Sequence, residues 1–401
     1  MDIKKLFSGV AVIIDNKIND EESGDLIINI MNKLRTYNIP LIKYLDIPEN
    51  KTINSLKNVN FVLLDWELFD SHLSGTRTEI KYINRNIAFI KKLRKTTFVP
   101  IFIFSNLSKD SIINILKERK LYKDNYNNCI FVKRKSDLFS KDKKKFVFWS
   151  ELTNWLNRTP SIYVLKEWEN SLDIAKTDLF WSFYDINQDW PSVLQETFTK
   201  DGSDVNYELG NFVFKNIMAR IEPIKFDDEI IKKEGSDISK EDIRKILEAE
   251  RFIKNESLPK IPFTGDLYKK SPDGKNYLLN IRPECDIIRK NNPSLYCIEG
   301  TVIDETMINS TKEENKNKKI TFDNGFIEKT NELYLPFVDN GKILKFSLKN
   351  ITTNKKWNDL KEKRLGRLLP PYITRVQQRY SFYLQRQGLP AIPEKAIFGY
   401  K

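Results

Sequence analysis

Short apolar segments, each followed by a segment of helical periodicity, recur through the first 157 residues of the chain. Residues 10–14 (VAVII) form the first and are apolar without interruption, which is typical of a strand buried on both faces. Similar segments lie at residues 40–42, 61–64, 99–104 and 130–132. Five strands alternating with helices predict an α/β fold, in which helices cover both faces of a parallel sheet.

The character of the chain changes after Thr159-Pro160, which we interpret as a linker. Helical periodicity follows first, and after Pro259 short strands alternate with turn residues such as Asp273-Gly274 and Asn340-Gly341. An amphipathic helix is predicted between Pro370 and Gly388. The regions expected are an α/β domain over residues 1–158, a helical region over 161–258, and a small β-rich, barrel-like domain over 259–401 that ends in this helix.

The sparse histidine and cysteine content excludes several kinds of site. His72 is the only histidine, and Cys129, Cys285 and Cys297 are too scattered for a disulfide framework or a Cys/His zinc site. A Ser-His-Asp or Cys-His catalytic group is thereby restricted to the neighbourhood of His72. Because the second half also lacks P-loop, GxGxxG and HExxH motifs, we do not expect an enzyme there.

No apolar run approaches the roughly 18–20 residues that a bilayer crossing requires, and the N-terminal residues lack the apolar core of a signal peptide. We therefore expect a cytoplasmic protein without membrane contact.

Polar residues end four of the five predicted strands. The first strand runs into Asp15-Asn16, the third into Asp65, the fourth into Ser105 and the fifth into Lys133. In a doubly wound sheet of order 2-1-3-4-5, the carboxyl ends of these strands are neighbours, and ligands bind at this edge. The sequence therefore predicts one pocket that holds carboxylates, an amide, a hydroxyl and an ammonium group.

This set of groups suits phosphoryl transfer to a carboxylate. Asp65 is the expected nucleophile, and Asp15, Asn16 and Asp65 are the expected ligands of a Mg²⁺ ion. Ser105 and Lys133 can bind the phosphoryl oxygens, and such positioning and electrostatic stabilisation dominate this chemistry. Taken singly, each residue also has a structural interpretation: Asp65 and Ser105 as caps or loop anchors, and Lys133 as a solvated lysine.

Residues 9–157 resemble the receiver domain of bacterial response regulators, which has a flavodoxin-like (βα)5 fold. The resemblance lies in Ile14-Asp15-Asn16, Leu64-Asp65-Trp66, Phe104-Ser105-Asn106 and Val132-Lys133-Arg134. It implies that Asp65 accepts phosphate from a histidine kinase, with Ser105 as the switch residue and Lys133 as the site lysine. Asn16 replaces the usual second acid, which should weaken Mg²⁺ binding, and Arg134 replaces the usual proline. A pseudo-receiver that is never phosphorylated is therefore the main alternative.

The whole chain resembles receiver proteins of bacterial antiphage operons, of the Detocs-like kind. The motifs are Leu64-Asp65-Trp66-Glu67-Leu68, Gly265-Asp266-Leu267, Pro283-Glu284-Cys285-Asp286, Leu369-Pro370-Pro371-Tyr372 and Gly388-Leu389-Pro390. The resemblance implies antiviral defence, as a signal relay or a phosphate sink. The implied partners are a histidine kinase and an effector or second receiver protein from the same operon.

Three further features leave alternatives open. The net charge of +12 and pI of about 9.2 permit a DNA-binding regulator, but the lysines are spread along the chain, which favours a solvated surface. Asp286 is a candidate site residue, although a strand-end turn with a buried cysteine is the favoured interpretation.

Arginines also alternate with tyrosines near the C-terminus, and we expect the helix predicted between Pro370 and Gly388 to dock on the chain's own body. These arginines are Arg367, Arg375, Arg379 and Arg386.

Overall fold

Strands and helices alternate along the N-terminal part of the protein, as seen in a computed structural model. The structure describes residues 3–19, 26–68, 76–123, 128–140, 145–232, 238–289, 291–304, 325, 327–329, 331–387, 392–393 and 396. The N-terminal elements are α1 (Ile3–Leu6), β1 (Ala11–Ile14), α2 (Leu26–Thr36), β2 (Leu41–Tyr44), α3 (Asn50–Ser55), β3 (Phe61–Asp65), α4 (Thr76–Thr96), β4 (Ile101–Ser105), α5 (Lys109–Glu118), β5 (Ile130–Arg134), a 3-10 helix (Lys135–Leu138) and α6 (Phe148–Leu156).

The five N-terminal strands form a parallel sheet in the order β2-β1-β3-β4-β5. The predicted parallel sheet and its strand order are thus confirmed. Ile14 is in register with Leu64, Asp65 with Phe104, and Ser105 with Arg134. The carboxyl ends of β1, β3, β4 and β5 therefore lie side by side at one edge of the sheet.

Alternation along each strand divides the buried side chains between two hydrophobic cores. In β1, Ala11 and Ile13 join the core that contains α1, α2 and α6, whereas Val12 and Ile14 join the core that contains α3, α4 and α5. Since successive side chains of a strand point to opposite faces, β1 must be apolar throughout to fill both cores. This accounts for the uninterrupted apolar run at residues 10–14.

Helices dominate the middle of the chain, as the periodicity predicted. They are α7 (Pro160–Ile186), α8 (Trp190–Lys200), α9 (Val205–Arg220), α10 (Asp228–Ile231) and α11 (Lys240–Arg251). The Ser239 hydroxyl accepts a hydrogen bond from the Asp242 N–H and caps α11. The chain divides into two compact units, residues 1–183 with 216–235 and residues 184–215 with 236–401. Residues 161–258 thus contribute to both units.

The second unit contains a curled antiparallel sheet of eight strands in the order β10-β11-β12-β9-β8-β7-β13-β6. Its elements are β6 (Phe252–Lys254), a 3-10 helix (Asn255–Ser257), β7 (Asp266–Lys269), β8 (Asn276–Asn280), α12 (Glu284–Ile288), β9 (Ser294–Ile303), β10 (Ile327–Glu328), β11 (Glu332–Val338), β12 (Lys342–Lys356), α13 (Trp357–Leu360), a 3-10 helix (Lys361–Lys363), β13 (Arg364–Leu368) and α14 (Tyr372–Leu384). β6 was not expected, because it lies within residues 161–258, which were predicted to be helical. Gly388, where the C-terminal helix was expected to end, lies outside the described residues.

A buried ionic cluster ties β7 to β13. Asp266 is fully buried, and its carboxylate accepts hydrogen bonds from Arg367 Nε at 2.7 Å and from the Phe263 N–H at 2.8 Å. Arg364 contacts the same carboxylate and also donates to the carbonyl oxygens of Ile261 and Pro259. Because buried charges are stable only when paired, this cluster fixes the register of the two strands.

Gly265, which precedes that cluster, is required by a close approach of the backbone. Its φ of +89° lies in the left-handed region, and a Cβ there would lie 2.3 Å from the carbonyl oxygen of Leu368. The Leu368 N–H also donates a hydrogen bond to the Gly265 carbonyl. The Gly265-Asp266-Leu267 motif is thus explained by strand pairing.

The C-terminal helix α14 docks on the curled sheet, as its apolar stripe predicted. Ile373 and Val376 are buried in the core of the sheet. Arg375 and Arg379 both contact the Glu328 carboxylate on β10, the first with hydrogen bonds of 2.6 and 2.9 Å. Arg367, on β13, is held by Asp266. Three of the four arginines noted near the C-terminus therefore bind carboxylates of the chain itself.

Among the described helices, none combines the length and the apolar character that crossing a membrane demands.

Candidate functional site

Two aspartates and a lysine meet at the carboxyl edge of the parallel sheet. Asp65 ends β3, Asp15 follows β1 directly, and Lys135 is the first residue after β5. The Lys135 ammonium group donates hydrogen bonds to Asp15 Oδ2 at 2.7 Å and to Asp65 Oδ2 at 2.8 Å. All three side chains are buried, with exposed fractions of 1%, 1% and 5% for Lys135, Asp15 and Asp65. The predicted convergence of Asp15 and Asp65 is thus present.

The lysine of this site is Lys135, and the expectation that Lys133 occupies it is wrong. Lys133 Nζ instead donates to Glu151 Oε2 on α6 at 2.6 Å. The fifth strand was predicted to end at Val132, whereas β5 continues to Arg134. The polar residue that follows the strand is therefore two positions further along the chain. Reading the strand to its true end would have identified Lys135.

Backbone amides hold the second oxygen of each aspartate. The Lys17 N–H donates to Asp15 Oδ1 at 2.8 Å, and the Glu67 N–H donates to Asp65 Oδ1 at 3.1 Å. Each carboxylate is thus bound on one side by the backbone two residues further along and on the other by Lys135. This leaves the two aspartates little rotational freedom and keeps both Oδ2 atoms on the same nitrogen.

Ser105 lies at the predicted edge but binds a residue that the sequence analysis did not assign to the site. The Ser105 hydroxyl, at the end of β4, donates to Glu67 Oε2 at 2.9 Å. The Asn106 N–H donates to the same oxygen at 3.1 Å. Glu67 stands two positions after Asp65, and an acid so close to the proposed nucleophile was the available sequence signal. Ser105 also accepts a hydrogen bond from the Leu107 N–H, which agrees with its interpretation as a loop anchor and not as a helix cap, because the N-cap position of α5 is Ser108.

Burial and charge shift the titration of this site. Burial raises the pKa of Asp65 to about 7; the positive charge of Lys135 opposes this shift, and the negative charge of Asp15 adds to it. Burial by itself would lower the pKa of Lys135, but the charges of Asp65 and Asp15 outweigh it and raise the pKa above its ordinary value. Two carboxylates therefore share one ammonium group, and near neutral pH the site readily takes up one further positive charge.

The donor set fits a magnesium ion. Mg²⁺ prefers oxygen ligands and is commonly bound by one or two carboxylates with water and substrate oxygens, and Asp15 and Asp65 supply two carboxylates. Beside Asp15, the buried Oδ1 atom of Asn16 accepts no hydrogen bond from any described residue. A buried amide oxygen without a donor is costly unless a cation or water satisfies it. The described residues hold no cluster of three His, Cys, Asp or Glu side chains fit for a metal, so the third protein ligand would be the Asn16 amide.

The tryptophan after Asp65 is held rigidly. Trp66 is buried with an exposed fraction of 2%, and its carbonyl accepts a hydrogen bond of 2.9 Å from Asn86 on α4. The Trp66 side chain packs in the core between the sheet and helices α3 to α5. The chain has seven tryptophans, so Trp66 fluorescence here means the change in total tryptophan emission that is lost when Trp66 is replaced by Phe.

The remaining candidates lie elsewhere or outside the described residues. Asp286 is on α12, about half exposed, and lies 3.7 Å from Arg282 Nε. Cys285 beside it is exposed, so the expectation of a buried cysteine in this turn is wrong. His72 lies outside the described part of the chain.

No family model matches this chain, and no curated protein sequence matches it.

Proposed function

We propose that Asp65 accepts a phosphoryl group from a histidine kinase, and that the chain is the receiver of a two-component-like signalling system. The observation that carries this proposal is the pairing of Asp65 and Asp15 on one buried ammonium group, at the sheet edge where ligands of doubly wound folds bind. A buried carboxylate pair with a single cation is poorly explained as a structural feature, because it leaves a net negative charge in a dry environment.

Asp65 is the nucleophile in this proposal. One of its carboxylate oxygens forms a bond to phosphorus while the bond between phosphorus and the imidazole nitrogen of the kinase breaks. The histidine leaves as neutral imidazole after taking up a proton, and the product is an acyl phosphate on Asp65. The hydrogen bond from the Glu67 N–H to Oδ1 orients the carboxylate for attack by its other oxygen.

Lys135 supplies the positive charge at this site. Its ammonium group lies within hydrogen-bonding distance of Asp65 Oδ2, so a phosphoryl oxygen attached there remains within its reach. Asp15 and Asn16, with Asp65, would hold Mg²⁺, which when bound neutralises charge on the phosphoryl oxygens. Ser105 is the second donor to the phosphoryl group, provided that its hydroxyl leaves Glu67.

The wider role rests on the resemblance of sequence motifs. We propose that the chain acts in antiphage defence, as a signal relay or a phosphate sink, beside a kinase and an effector or second receiver protein from its operon. It would catalyse at most its own dephosphorylation.

Phosphotransfer from the operon's kinase tests the proposal. The kinase is first labelled with radioactive ATP and then mixed with the wild-type chain or with Asp65→Asn, in the presence of Mg²⁺. We expect label to pass to the wild type and not to the variant. Transfer that survives Asp65→Asn rejects Asp65 as the acceptor.

A receiver that signals by binding alone is the second candidate. The observation in its favour is that the Ser105 hydroxyl is already bound to Glu67, so one donor for a phosphoryl group is occupied. This candidate predicts that neither acetyl phosphate nor beryllofluoride reacts with or binds the chain in the presence of Mg²⁺. Saturable binding of beryllofluoride would exclude it.

A further inference from the structure

Glu67 places a carboxylate on the two hydrogen-bond donors at the end of β4. Its Oε2 atom accepts from the Ser105 hydroxyl at 2.9 Å and from the Asn106 N–H at 3.1 Å. The Glu67 side chain is half-buried, so these bonds are partly shielded from water. A hydroxyl and a backbone N–H that converge on one anionic oxygen form a small anion-binding site, and Glu67 occupies it.

This anion site lies next to the nucleophile. Glu67 is two residues after Asp65, and its own N–H donates to Asp65 Oδ1 at 3.1 Å. Ser105 ends β4, and β4 pairs directly with β3, which ends at Asp65. A phosphoryl group on Asp65 would therefore carry its oxygens toward the donors that Glu67 holds.

We propose that Glu67 is an internal competitor of the phosphoryl group, and that it must release Ser105 and Asn106 before they can bind phosphoryl oxygens. This inference rests on the proposed function and adds a means of regulation to it. In the unphosphorylated state Glu67 satisfies both donors and repels an incoming anion. After phosphorylation the two donors turn to the phosphoryl oxygens, and the Glu67 side chain is free to move toward solvent.

Replacing Glu67 should change the rate of phosphorylation in one direction if Glu67 competes with the phosphoryl group, and in the opposite direction if Glu67 supports the reaction. If Glu67 competes, then removing its charge favours phosphorylation, because the donors become available and the repulsion disappears. If Glu67 instead oriented Ser105 for the reaction or helped to bind the metal, removing its charge would slow phosphorylation. The sign of the effect therefore distinguishes the two roles.

The experiment compares wild type, Glu67→Ala and Glu67→Gln, with Glu151→Gln as the matched control. Glu151 is also a partly buried carboxylate that accepts a hydrogen bond, but its partner is Lys133, away from Asp65. Phosphorylation by acetyl phosphate is followed by Trp66 fluorescence at a Mg²⁺ concentration that saturates each variant. The dissociation constant of beryllofluoride is measured under the same conditions.

We expect Glu67→Ala to raise the rate constant of phosphorylation by roughly tenfold and to tighten beryllofluoride binding by a similar factor, since hydrogen bonds to charged groups are among the stronger ones. Glu67→Gln should give an intermediate value, because the amide oxygen still accepts hydrogen bonds but carries no charge. Glu151→Gln should match the wild type. Unchanged or slower phosphorylation of both Glu67 variants overturns the inference while the proposed function stands. Failure of every chain, wild type included, to react overturns the proposed function and the inference together.

Discussion

Lys135 contacts Asp65 from beyond the sheet: it is the first residue after β5, and its Nζ lies 2.8 Å from Asp65 Oδ2 and 2.7 Å from Asp15 Oδ2. Its backbone belongs to a short 3-10 helix, which turns the side chain back over the strand ends. The cation of the site is thus held by the segment after the strand and not by the strand itself.

Replacing Lys135 should abolish phosphorylation, whereas replacing Lys133 should not. Lys135→Ala removes the ammonium group that donates to both aspartates, so we expect acetyl phosphate to react at least about 100-fold more slowly. Lys133→Ala breaks a partly exposed pair with Glu151 and should leave the rate within about twofold of wild type. Rates are measured by Trp66 fluorescence. If Lys133→Ala slows phosphorylation more than Lys135→Ala does, Lys133 is the lysine of the site.

The stability of the metal-free protein should fall as the pH rises through 7. The pKa of Asp65 is raised to about 7 in the folded chain. Between its ordinary pKa and pH 7, the Asp65 carboxyl is therefore protonated in the folded chain and ionised in the unfolded chain. Its contribution is complete at low pH and is lost as the carboxyl ionises, at most about 1.4 kcal/mol per pH unit. Chemical unfolding in chelator at several pH values measures this slope. Asp65→Asn should flatten it, and an equal slope in that variant would contradict the raised pKa.

Magnesium binding should strengthen with pH for the same reason. The ion binds the ionised form of Asp65, so its binding releases a proton below pH 7. Titration of Trp66 fluorescence with MgCl₂ should give a dissociation constant that falls by up to roughly tenfold per pH unit below 7 and levels off above it. A constant that does not change between about pH 6 and 8 would show that Asp65 is not a ligand.

Asn16→Asp should tighten magnesium binding, because it adds a charge to the ligand set. We expect a change of about tenfold, since ligand charge is a main determinant of affinity in such sites. Asn16→Ala removes the unpaired amide oxygen and should weaken binding instead. Isothermal titration calorimetry at pH above 7 measures both. If neither variant changes the affinity, Asn16 does not bind the ion.

Asp266→Asn should destabilise the curled-sheet unit. The change leaves Arg364 and Arg367 buried without their carboxylate partner, and breaking a buried pair typically costs about 3–5 kcal/mol. Asp273→Asn is the matched control, because Asp273 is exposed in a hairpin turn. Unfolding by denaturant, followed by circular dichroism, compares the two. A loss of under about 1 kcal/mol for Asp266→Asn would mean that the cluster contributes no more than a surface pair.

The parallel sheet was predictable because its strands are apolar on both faces. An uninterrupted run such as residues 10–14 fits few other structures, and the order of the strands follows from the short right-handed connections of such folds. The same logic located Asp15 and Asp65, which end two of these strands. Sequence periodicity thus determined both the sheet and the acidic half of the site.

The cationic half was misassigned because periodicity does not define where a strand ends. The run Lys133-Arg134-Lys135 at the end of β5 offers three cations, and the third is selected because the chain leaves the strand there and enters a 3-10 helix. Glu67 was missed for a related reason. Its position next to Asp65 was a signal of proximity, but its partners at the end of β4 are 38 and 39 residues away, and the sequence does not show such long-range hydrogen bonds.

Intact-protein mass spectrometry after incubation with acetyl phosphate and Mg²⁺ tests the central claim most directly. The account predicts that the wild-type chain gains the mass of one phosphoryl group, that the modification maps to Asp65, and that Asp65→Asn gains none. An unmodified wild-type chain, or a modification that persists in Asp65→Asn, would contradict it.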